Sequence, residues 1–141
     1  MPKNMTAAEI NISDKLPELR VTMTAQHIIS AAAATRDWQP IHHDHDIAIK
    51  SGLRGIILNA PSQTGWISKY ITDWAGSHAE IKRMAFKMKD SICPGDEMTI
   101  NGEITGKEEN VDHSYRITVN IVISASEKIK TNAEVRFNIP A

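Results

Sequence analysis

Residues 36–46 concentrate side chains that can carry protons. The segment reads Arg-Asp-Trp-Gln-Pro-Ile-His-His-Asp-His-Asp and contains three histidines and three aspartates. Asp37 and His42 have Pro40 between them, so a tight turn can bring a carboxylate and an imidazole to one water molecule. Such a pair can divide proton removal from proton donation, which is the chemistry that adding water to a double bond requires.

The same segment permits a second interpretation, a metal site. Imidazole and carboxylate groups suit zinc or iron, and His42, His43, Asp44 and His45 are consecutive in the sequence. Adjacent residues, however, seldom point at one ion. We therefore predict no metal ion, and we expect His43 and His45 to face solvent or to have a structural role.

A helix is predicted on each side of this segment. Residues 25–36 show helical spacing of apolar side chains, with Thr24 as the N-cap. Pro40 disfavours helical geometry at the residue before it, so residues 37–42 should form an irregular connection. A short helix is expected at residues 46–50.

The strongest helix signal lies further along the chain. Pro61 suits a first helical turn, and Gly76 suits the position just past a helix end. Between them, apolar side chains recur in pairs every four residues, which predicts a mostly buried helix. These side chains are Trp66, Ile67, Tyr70, Ile71, Trp74 and Ala75.

After this helix the apolar residues alternate, which predicts strands. Four strands are expected, at residues 84–88, 98–104, 115–123 and 133–139, with turns at 94–96 and 106–112, and a further strand at 19–22. Four strands in a row predict an antiparallel meander. A sheet that curls around the long helix buries both apolar faces, which is the α+β architecture of the hot-dog fold. We expect one such domain at residues 17–141, preceded by an N-terminal extension at residues 1–16.

Composition excludes several classes of function. The 141 residues fit one domain, and 16 basic against 17 acidic side chains give a net charge of -1, which argues against nucleic acid as a partner. Cys93 is the only cysteine, so an internal disulfide framework is excluded and a reducing cytoplasm is expected. The polar N-terminus does not resemble a signal peptide and no stretch is long enough to cross a bilayer, so we expect no membrane partner.

The residues 37–42 resemble the hydratase motif of the MaoC-like family of R-specific enoyl-CoA hydratases and dehydratases. That motif has the form Asp-x-Asn-Pro-x-His followed closely by Asp, and here it reads Asp-Trp-Gln-Pro-Ile-His with Asp44 after it. The resemblance continues through the Cys-Pro-Gly-Asp turn at 93–96 and covers roughly residues 17–139. The Thr-Asp-Trp-Ala-Gly stretch at 72–76 is similar to a branch of small members, some of which act on sterol side-chain thioesters with a paralogous subunit.

The resemblance implies a function and a site. Asp37 and His42 would be the acid/base pair that reversibly hydrates a 2-enoyl-CoA thioester to a 3-hydroxyacyl-CoA. The family usually has His-Gly where Asn59 and Ala60 stand, and Asn where Gln39 stands. The Ala60 N–H at a helix N-terminus would serve as an oxyanion site, and Asn59, Gln39 and Trp38 are the other expected substrate-binding residues. No cofactor is expected beyond the coenzyme A of the substrate.

Alternatives stay open at this point. A hot-dog thioesterase commonly uses a carboxylate on the central helix, where only Asp73 is available. A non-catalytic subunit of a heteromeric hydratase, or a lipid or acyl-carrier binding module, would not need the Asp37 and His42 pair. The small curved sheet leaves an edge exposed, so we expect a homodimer or a heteromer with a paralogous hot-dog subunit. The acyl group and its carrier, coenzyme A or acyl carrier protein, cannot be read from the sequence.

Overall fold

The computed structural model describes residues 3–141, which form three helices and five strands. The helices are α1 (Ala25–Ala34), α2 (His45–Lys50) and α3 (Ala60–Ala75), and single 3-10 turns lie at Ala7–Glu9 and Pro40–His42. The strands are β1 (Lys15–Thr22), β2 (Glu80–Met88), β3 (Glu97–Glu109), β4 (Tyr115–Ala125) and β5 (Lys128–Ile139).

The strands form one antiparallel sheet in the order β1-β3-β4-β5-β2, and α3 packs against it. The buried stripe of α3 contains Ile67, Tyr70 and Ile71, because apolar residues at helical spacing share one face. This stripe joins the alternating apolar side chains of β3, β4 and β5 in one hydrophobic core. The predicted α+β architecture of a long helix covered by an antiparallel sheet is therefore confirmed.

The predicted four-strand meander is wrong at one connection. Strands β3, β4 and β5 are joined as consecutive hairpins, but β2 pairs with β5, for example Met84 with Val135, and not with β3. The turn at 94–96 therefore belongs to a crossover between opposite parts of the sheet. Alternation predicts which face a strand buries, but it does not specify the neighbouring strand.

Several element boundaries also differ from the predictions. Strand β1 begins at Lys15 and β3 continues to Glu109, through the predicted turn at 106–112. The parts of β1 and β3 that lie outside the predicted strands are mostly exposed. They therefore carry polar side chains and lack the alternation of apolar residues by which a strand is recognised. Helix α1 ends at Ala34, because Arg36 has a positive φ of 53° that stops the helix.

The described part of the predicted extension, residues 3–14, packs on the domain. Ala7 and Ile10 are buried in the core, and Lys107 Nζ donates to their carbonyl oxygens at 2.6 and 2.9 Å. Residues 1 and 2 lie outside the described residues. Within the described part of the chain, no helix has both the length and the apolar character needed to cross a bilayer.

Candidate active site

The loop after α1 presents Asp37 to the start of α3. Thr35 ends the helix, Arg36 turns the chain through its positive φ, and the Asp37 N–H donates to Ala32 O at 2.9 Å. This hydrogen bond fixes the Asp37 backbone against the last turn of α1. The carboxylate then contacts His42 and Asn59, so the loop joins two segments that are distant in the sequence.

His42 has a close neighbour at each ring nitrogen. It lies at the end of the 3-10 turn, is 7% exposed, and places Nε2 3.2 Å from Asp37 Oδ2. Its Nδ1 lies 2.7 Å from Ile57 O. A carbonyl oxygen can only accept a hydrogen bond, so Nδ1 carries a proton and the neutral ring has its lone pair on Nε2. Nε2 and Asp37 Oδ2 are then two acceptors 3.2 Å apart, which a donor lying to one side of both can bridge.

Asp37 is stabilised as a carboxylate. The Asn59 side-chain amide donates to Oδ2 at 3.0 Å, and the Gln39 N–H lies 3.4 Å from Oδ1. The hydrogen bond from Asn59 holds the pKa of Asp37 below its usual value, with smaller contributions from the Gln39 N–H and the His42 ring, although desolvation opposes the shift. Asp37 therefore suits the role of a proton acceptor rather than a donor near neutral pH.

Asn59 connects this carboxylate to the N-terminus of α3. As the N-cap it accepts the Ser62 N–H on Oδ1 at 3.1 Å, while Nδ2 donates to Thr35 Oγ1 at 2.9 Å as well as to Asp37. The side chain was predicted as an oxyanion or substrate-binding group. In the structure its amide is already engaged in positioning Asp37.

The Ala60 N–H is the free donor at this helix start. Ala60 is the first residue of α3, and its N–H donates to no other group among residues 3–141. Backbone donors in the first turn have no partner within the helix, and the helix dipole favours negative charge there. The position predicted for an oxyanion site is therefore available.

A cleft of about 460 Å³ joins these groups. Asp37, His42, Asn59 and Ala60 all line it. The rest of the lining lies outside the predicted site residues and comes from Ile41, Ile57, Leu58, Pro61, Gln63, Met88, Lys89, Asp90 and Ser91. Of these, Gln63 could have been found from the sequence, because it is a polar residue next to the apolar stripe of a buried helix. In the structure Gln63 is buried and accepts a hydrogen bond from Thr131 Oγ1 at 2.6 Å.

Two predicted side chains do not line the cleft. Trp38 is 68% exposed, and Gln39 is exposed and contributes only its backbone N–H. The residues of the alternative metal interpretation have separate contacts in the structure. Asp44 caps α2 by accepting the Ile47 N–H at 3.1 Å, whereas the His42 ring contacts Ile57 O. Among residues 3–141, no three His, Cys, Asp or Glu side chains are grouped as metal ligands.

Comparisons with known proteins agree on one family. The model of the MaoC like domain matches residues 10–126. The chain is 37% identical over 107 residues to the 3-oxo-4,17-pregnadiene-20-carboxyl-CoA hydratase beta subunit of Mycobacterium tuberculosis, covering 76% of this chain and 79% of that protein.

Solved structures share the hot-dog fold. A chain of the ChsH1-ChsH2 complex from Mycobacterium tuberculosis has a TM-score of 0.86 and 32% identity, with 92% of this chain and 98% of that chain covered. The (R)-hydratase from A. caviae involved in PHA biosynthesis has a TM-score of 0.85 at 19% identity, covering 95% of this chain and 100% of that one, and this likeness supports the fold alone. With the family model and the 37% identical relative, these findings show that the chain belongs to the MaoC-like dehydratase family.

Proposed function

We propose that the chain reversibly hydrates a 2-enoyl-CoA thioester to a 3-hydroxyacyl-CoA, with Asp37 and His42 as the acid/base pair. The observation that carries this proposal is the 3.2 Å separation of His42 Nε2 and Asp37 Oδ2 in a cleft that also contains the free Ala60 N–H. The mycobacterial relative is named as a hydratase subunit. No cofactor is required beyond the coenzyme A of the substrate, and a cytoplasmic location remains a prediction from the single cysteine.

The hydrogen bonds of the pair indicate how a water molecule would be held. With Nδ1–H donated to Ile57 O, neutral His42 offers the Nε2 lone pair, and Asp37 offers a carboxylate oxygen. One water can donate a proton to each acceptor, which leaves an oxygen lone pair for the substrate β-carbon. The Ile57 carbonyl thereby fixes the His42 tautomer that the reaction needs.

The reaction then proceeds by addition across the double bond. As the water oxygen bonds to the β-carbon, His42 Nε2 takes one water proton and the π electrons move toward the α-carbon and the thioester oxygen. The proton on Nε2 is next transferred to the α-carbon, so the elements of one water are added and the pair is restored. Dehydration of a 3-hydroxyacyl thioester is the same path in reverse.

The start of α3 stabilises the charge that develops on the thioester oxygen. The Ala60 N–H can donate to this oxygen, and the positive end of the helix dipole reinforces it, whereas Pro61 has no N–H to offer. Such electrostatic stabilisation is worth roughly 10²- to 10³-fold, and acid/base assistance roughly 10²- to 10⁴-fold. Enzymes accelerate reactions by about 10⁶-fold or more, so neither contribution is sufficient without the other.

The thioesterase alternative has less support. It requires a carboxylate on the central helix, and Asp73 is exposed and paired with Lys69. Asp73 follows Ala60 by 13 residues in α3, or about 20 Å along the helix axis at 1.5 Å per residue. A carboxylate at that position is too far from the cleft to attack a thioester whose carbonyl is held by Ala60.

A second hot-dog subunit is the partner we propose. Strand β2 ends the sheet, and its outer edge has no partner strand among residues 3–141. It carries partly buried Ile81, Met84 and Phe86 beside Met88, which is 49% exposed, so pairing through this edge would cover both backbone groups and apolar surface. A heteromer is favoured over a homodimer because the relative is a beta subunit and the similar structure is a complex of two proteins.

The test is the loss of enoyl-thioester absorbance with the purified chain, alone and with its paralogous subunit. The substrates are short and long 2-enoyl-CoA thioesters, and 3-oxo-4,17-pregnadiene-20-carboxyl-CoA, for which the relative is named. Asp37→Asn and His42→Ala should each lower kcat by about 10²- to 10⁴-fold, while Asp73→Asn, the matched change at the thioesterase position, should not.

Two outcomes would contradict the proposal. Thiol release without loss of the double bond, abolished by Asp73→Asn, would identify a thioesterase. Turnover by the complex with its partner that Asp37→Asn and His42→Ala leave unchanged would identify a non-catalytic subunit.

A further inference from the structure

The first turn of α3 offers a ligand one free backbone donor. The Ser62 N–H donates to Asn59 Oδ1 at 3.1 Å, and the Gln63 N–H donates to Asn59 O at 3.2 Å. Pro61 has no N–H, so Ala60 carries the one free backbone N–H among residues 60–63. An oxygen that becomes negatively charged can accept from more than one donor, and oxyanion sites combine backbone N–H groups with Asn or Gln side chains. A second donor here would therefore come from a side chain.

Gln63 is a buried polar side chain on the wall of the candidate active-site cleft. It is 1% exposed, and it lines this cleft together with Ala60. Gln63 follows Ala60 by three residues in α3, or about 4.5 Å along the helix axis. Helical side chains lean toward the N-terminus of their helix. The Gln63 amide therefore extends toward the end of α3 at which Ala60 lies.

Thr131 fixes the orientation of this amide. Thr131 is fully buried on β5, and its hydroxyl lies 2.6 Å from Gln63 Oε1. A separation of 2.6 Å is usual for a hydroxyl that donates to an oxygen, and it is short for an amide N–H that donates to one. The amide oxygen therefore faces Thr131, and the amide nitrogen Nε2 faces away from it.

Nε2 of Gln63 has no oxygen acceptor among residues 3–141. Its one hydrogen bond there is donated to Met88 Sδ at 3.5 Å, and a thioether is a weak acceptor. Burying an amide donor without a good acceptor is costly, so such a group calls for a further partner. Met88 also lines the cleft and is 49% exposed. This flexible side chain can move aside and let a ligand oxygen take its place.

The acyl part of a simple 2-enoyl thioester contains one good acceptor, the thioester oxygen, because its sulfur is a weak acceptor. Asp37 and His42 line the same cleft as Gln63, so the double bond that reacts between them and the oxygen conjugated with it must both lie there. This oxygen gains negative charge as water adds to the β-carbon. A donor at this position therefore stabilises the transition state more than the bound substrate.

We propose that Gln63 is a further catalytic residue, whose Nε2 donates to the thioester oxygen alongside the Ala60 N–H, and that Thr131 is the positioning residue that orients its amide. This inference rests on the proposed function, because the thioester must lie in the cleft. The Gln63 amide keeps its protons throughout, so it stabilises charge and takes no part in the proton transfer at His42.

The first experiment measures the hydration of crotonyl-CoA by Gln63→Met, a change of similar shape that removes the donor. We expect kcat to fall about 10²-fold and KM to change less than about threefold, because the donor acts on charge that develops in the transition state. The matched control is Gln26→Met, the same change at an exposed position of α1. An unchanged kcat in Gln63→Met, for a protein that Asp37→Asn inactivates, would overturn the inference and leave the proposed function standing.

The positioning role of Thr131 has its own test. Thr131→Val keeps the shape of the side chain but releases the Gln63 amide, so kcat should fall about tenfold, as for a misplaced catalytic group. Thr131→Ser returns the hydroxyl and should restore kcat. In the Gln63→Met background, Thr131→Val should have no further effect on kcat, and urea denaturation of each variant separates these losses from loss of folding. Additive losses in the double variant would contradict the positioning role.

A truncated substrate tests which oxygen Gln63 binds. S-ethyl crotonothioate contains the same enoyl thioester but none of the amide groups of the carrier. Gln63→Met should lower kcat/KM for this substrate by the same factor as for crotonyl-CoA. A loss confined to crotonyl-CoA would place the amide on the carrier and overturn the inference. Equal losses of kcat in Gln63→Met and Met88→Leu would also overturn it, because the amide would then serve to hold the wall of the cleft.

Infrared spectroscopy requires no turnover, so it separates this inference from the proposed function. Butyryl-CoA with an isotope label at the thioester carbonyl carbon has no double bond to hydrate, and a hydrogen bond lowers the stretching frequency of a carbonyl group. We expect a lower frequency for this ligand with the wild type than with Gln63→Met. That difference, in a protein that hydrates nothing, would support the donor while the proposed reaction fails. Equal frequencies would overturn the inference even where the wild type catalyses hydration.

Discussion

Asn59 Nδ2 lies 3.0 Å from Asp37 Oδ2 while Asn59 Oδ1 accepts the Ser62 N–H. A single side chain therefore caps α3 and holds the carboxylate of the proposed acid/base pair. Because Ala60 is the next residue, the distance between the carboxylate and the free Ala60 N–H is set by the same contact. Substitution of Asn59 should consequently affect catalysis more than folding.

Asn59→Asp tests this arrangement, because Asp caps helices as well as Asn does. The introduced carboxylate keeps the hydrogen bond from Ser62 but no longer donates to Asp37, and it places a second negative charge beside it. We expect kcat/KM to fall about 10- to 100-fold, as for a misplaced catalytic group. The hydrogen bond from Asn59 is the largest cause of the lowered pKa of Asp37, so that pKa should rise and the acid limb of kcat/KM should move to higher pH.

The matched control for this variant is Asn59→Ala, which removes both the cap and the donor. It should also lower the free energy of unfolding by about 0.5–2 kcal/mol, as loss of an N-cap does. A pH profile of Asn59→Asp that coincides with the wild type would show that Asn59 does not position Asp37.

The proximity of Asp37 and His42, the proposed acid/base pair, is predictable because the two residues are close in the sequence. Asp37 and His42 are joined by a short proline-containing loop, and a motif of residue types is sufficient to find them. Their positioning groups are Asn59 and the Ile57 carbonyl, which lie 22 and 15 residues from their respective partners. A backbone carbonyl leaves no trace in the sequence, and the role of Asn59 depends on tertiary packing, so neither contact is predictable from spacing.

The individual elements of the fold are likewise predictable from local patterns, but the pairing of distant strands is not. Helical spacing identifies α3, and alternation identifies β4 with its buried Ile117, Val119 and Ile121. The pairing of β2 with β5 is a relationship between distant segments, and alternation in both strands is compatible with several sheet orders. The exposed ends of β1 and β3 have no apolar alternation to mark them.

A second prediction concerns the buried carboxylate of the turn at 93–96. Asp96 is 6% exposed and accepts hydrogen bonds from Arg54 Nη2 at 2.8 Å and from the Cys93 N–H at 3.0 Å. Asp96→Asn should lower the free energy of unfolding at pH 7 by about 1–3 kcal/mol, because these donors lose their charged acceptor. Urea denaturation measures this change, and Asp73→Asn, at an exposed ion pair, should cost less than about 1 kcal/mol.

The effect of Asp96 should depend on pH. Burial raises the pKa of Asp96, but the hydrogen bonds from Arg54 and Cys93 outweigh burial, so the pKa lies below its usual value. A depressed pKa in the folded state gives stability that is present above the pKa of the unfolded chain, about 3.9, and lost as the pH falls further. The difference between wild type and Asp96→Asn should therefore shrink below about pH 4, and a constant difference down to pH 2 would contradict this explanation.

A third prediction concerns Tyr70, on the buried face of α3. Its hydroxyl is buried without a hydrogen bond of normal geometry among residues 3–141, and burial raises the pKa of Tyr70 to about 12 against a smaller, opposite effect of the nearby Gly102 backbone. Tyr70→Phe removes a buried polar atom that has no hydrogen bond of normal geometry, so the free energy of unfolding at pH 7 should stay constant or rise by up to about 1 kcal/mol. Thermal and urea unfolding would show a clear loss of stability if the hydroxyl had a structural role.

Alkaline pH provides a further readout for Tyr70. The raised pKa gives stability that is complete below the unfolded value, about 10, and is lost as the pH rises toward 12. Tyr70→Phe should therefore lose less stability than the wild type between pH 10 and 12. The control is Tyr115→Phe, which changes the only other tyrosine and should leave the contribution of Tyr70 intact.

The last prediction concerns the β4–β5 hairpin, whose two-residue loop is strained. Ala125 pairs with Lys128, and the residues between them, Ser126 and Glu127, have positive φ values of 51° and 60°. Such loops favour glycine, because other residues are disfavoured at positive φ. Glu127→Gly should therefore raise the free energy of unfolding by about 0.5–1 kcal/mol. Glu103→Gly makes the same change at an exposed position in β3, where glycine should lower stability by about 0.5–1 kcal/mol. Opposite signs for the two variants in urea denaturation would support the strained turn, and equal losses would contradict it.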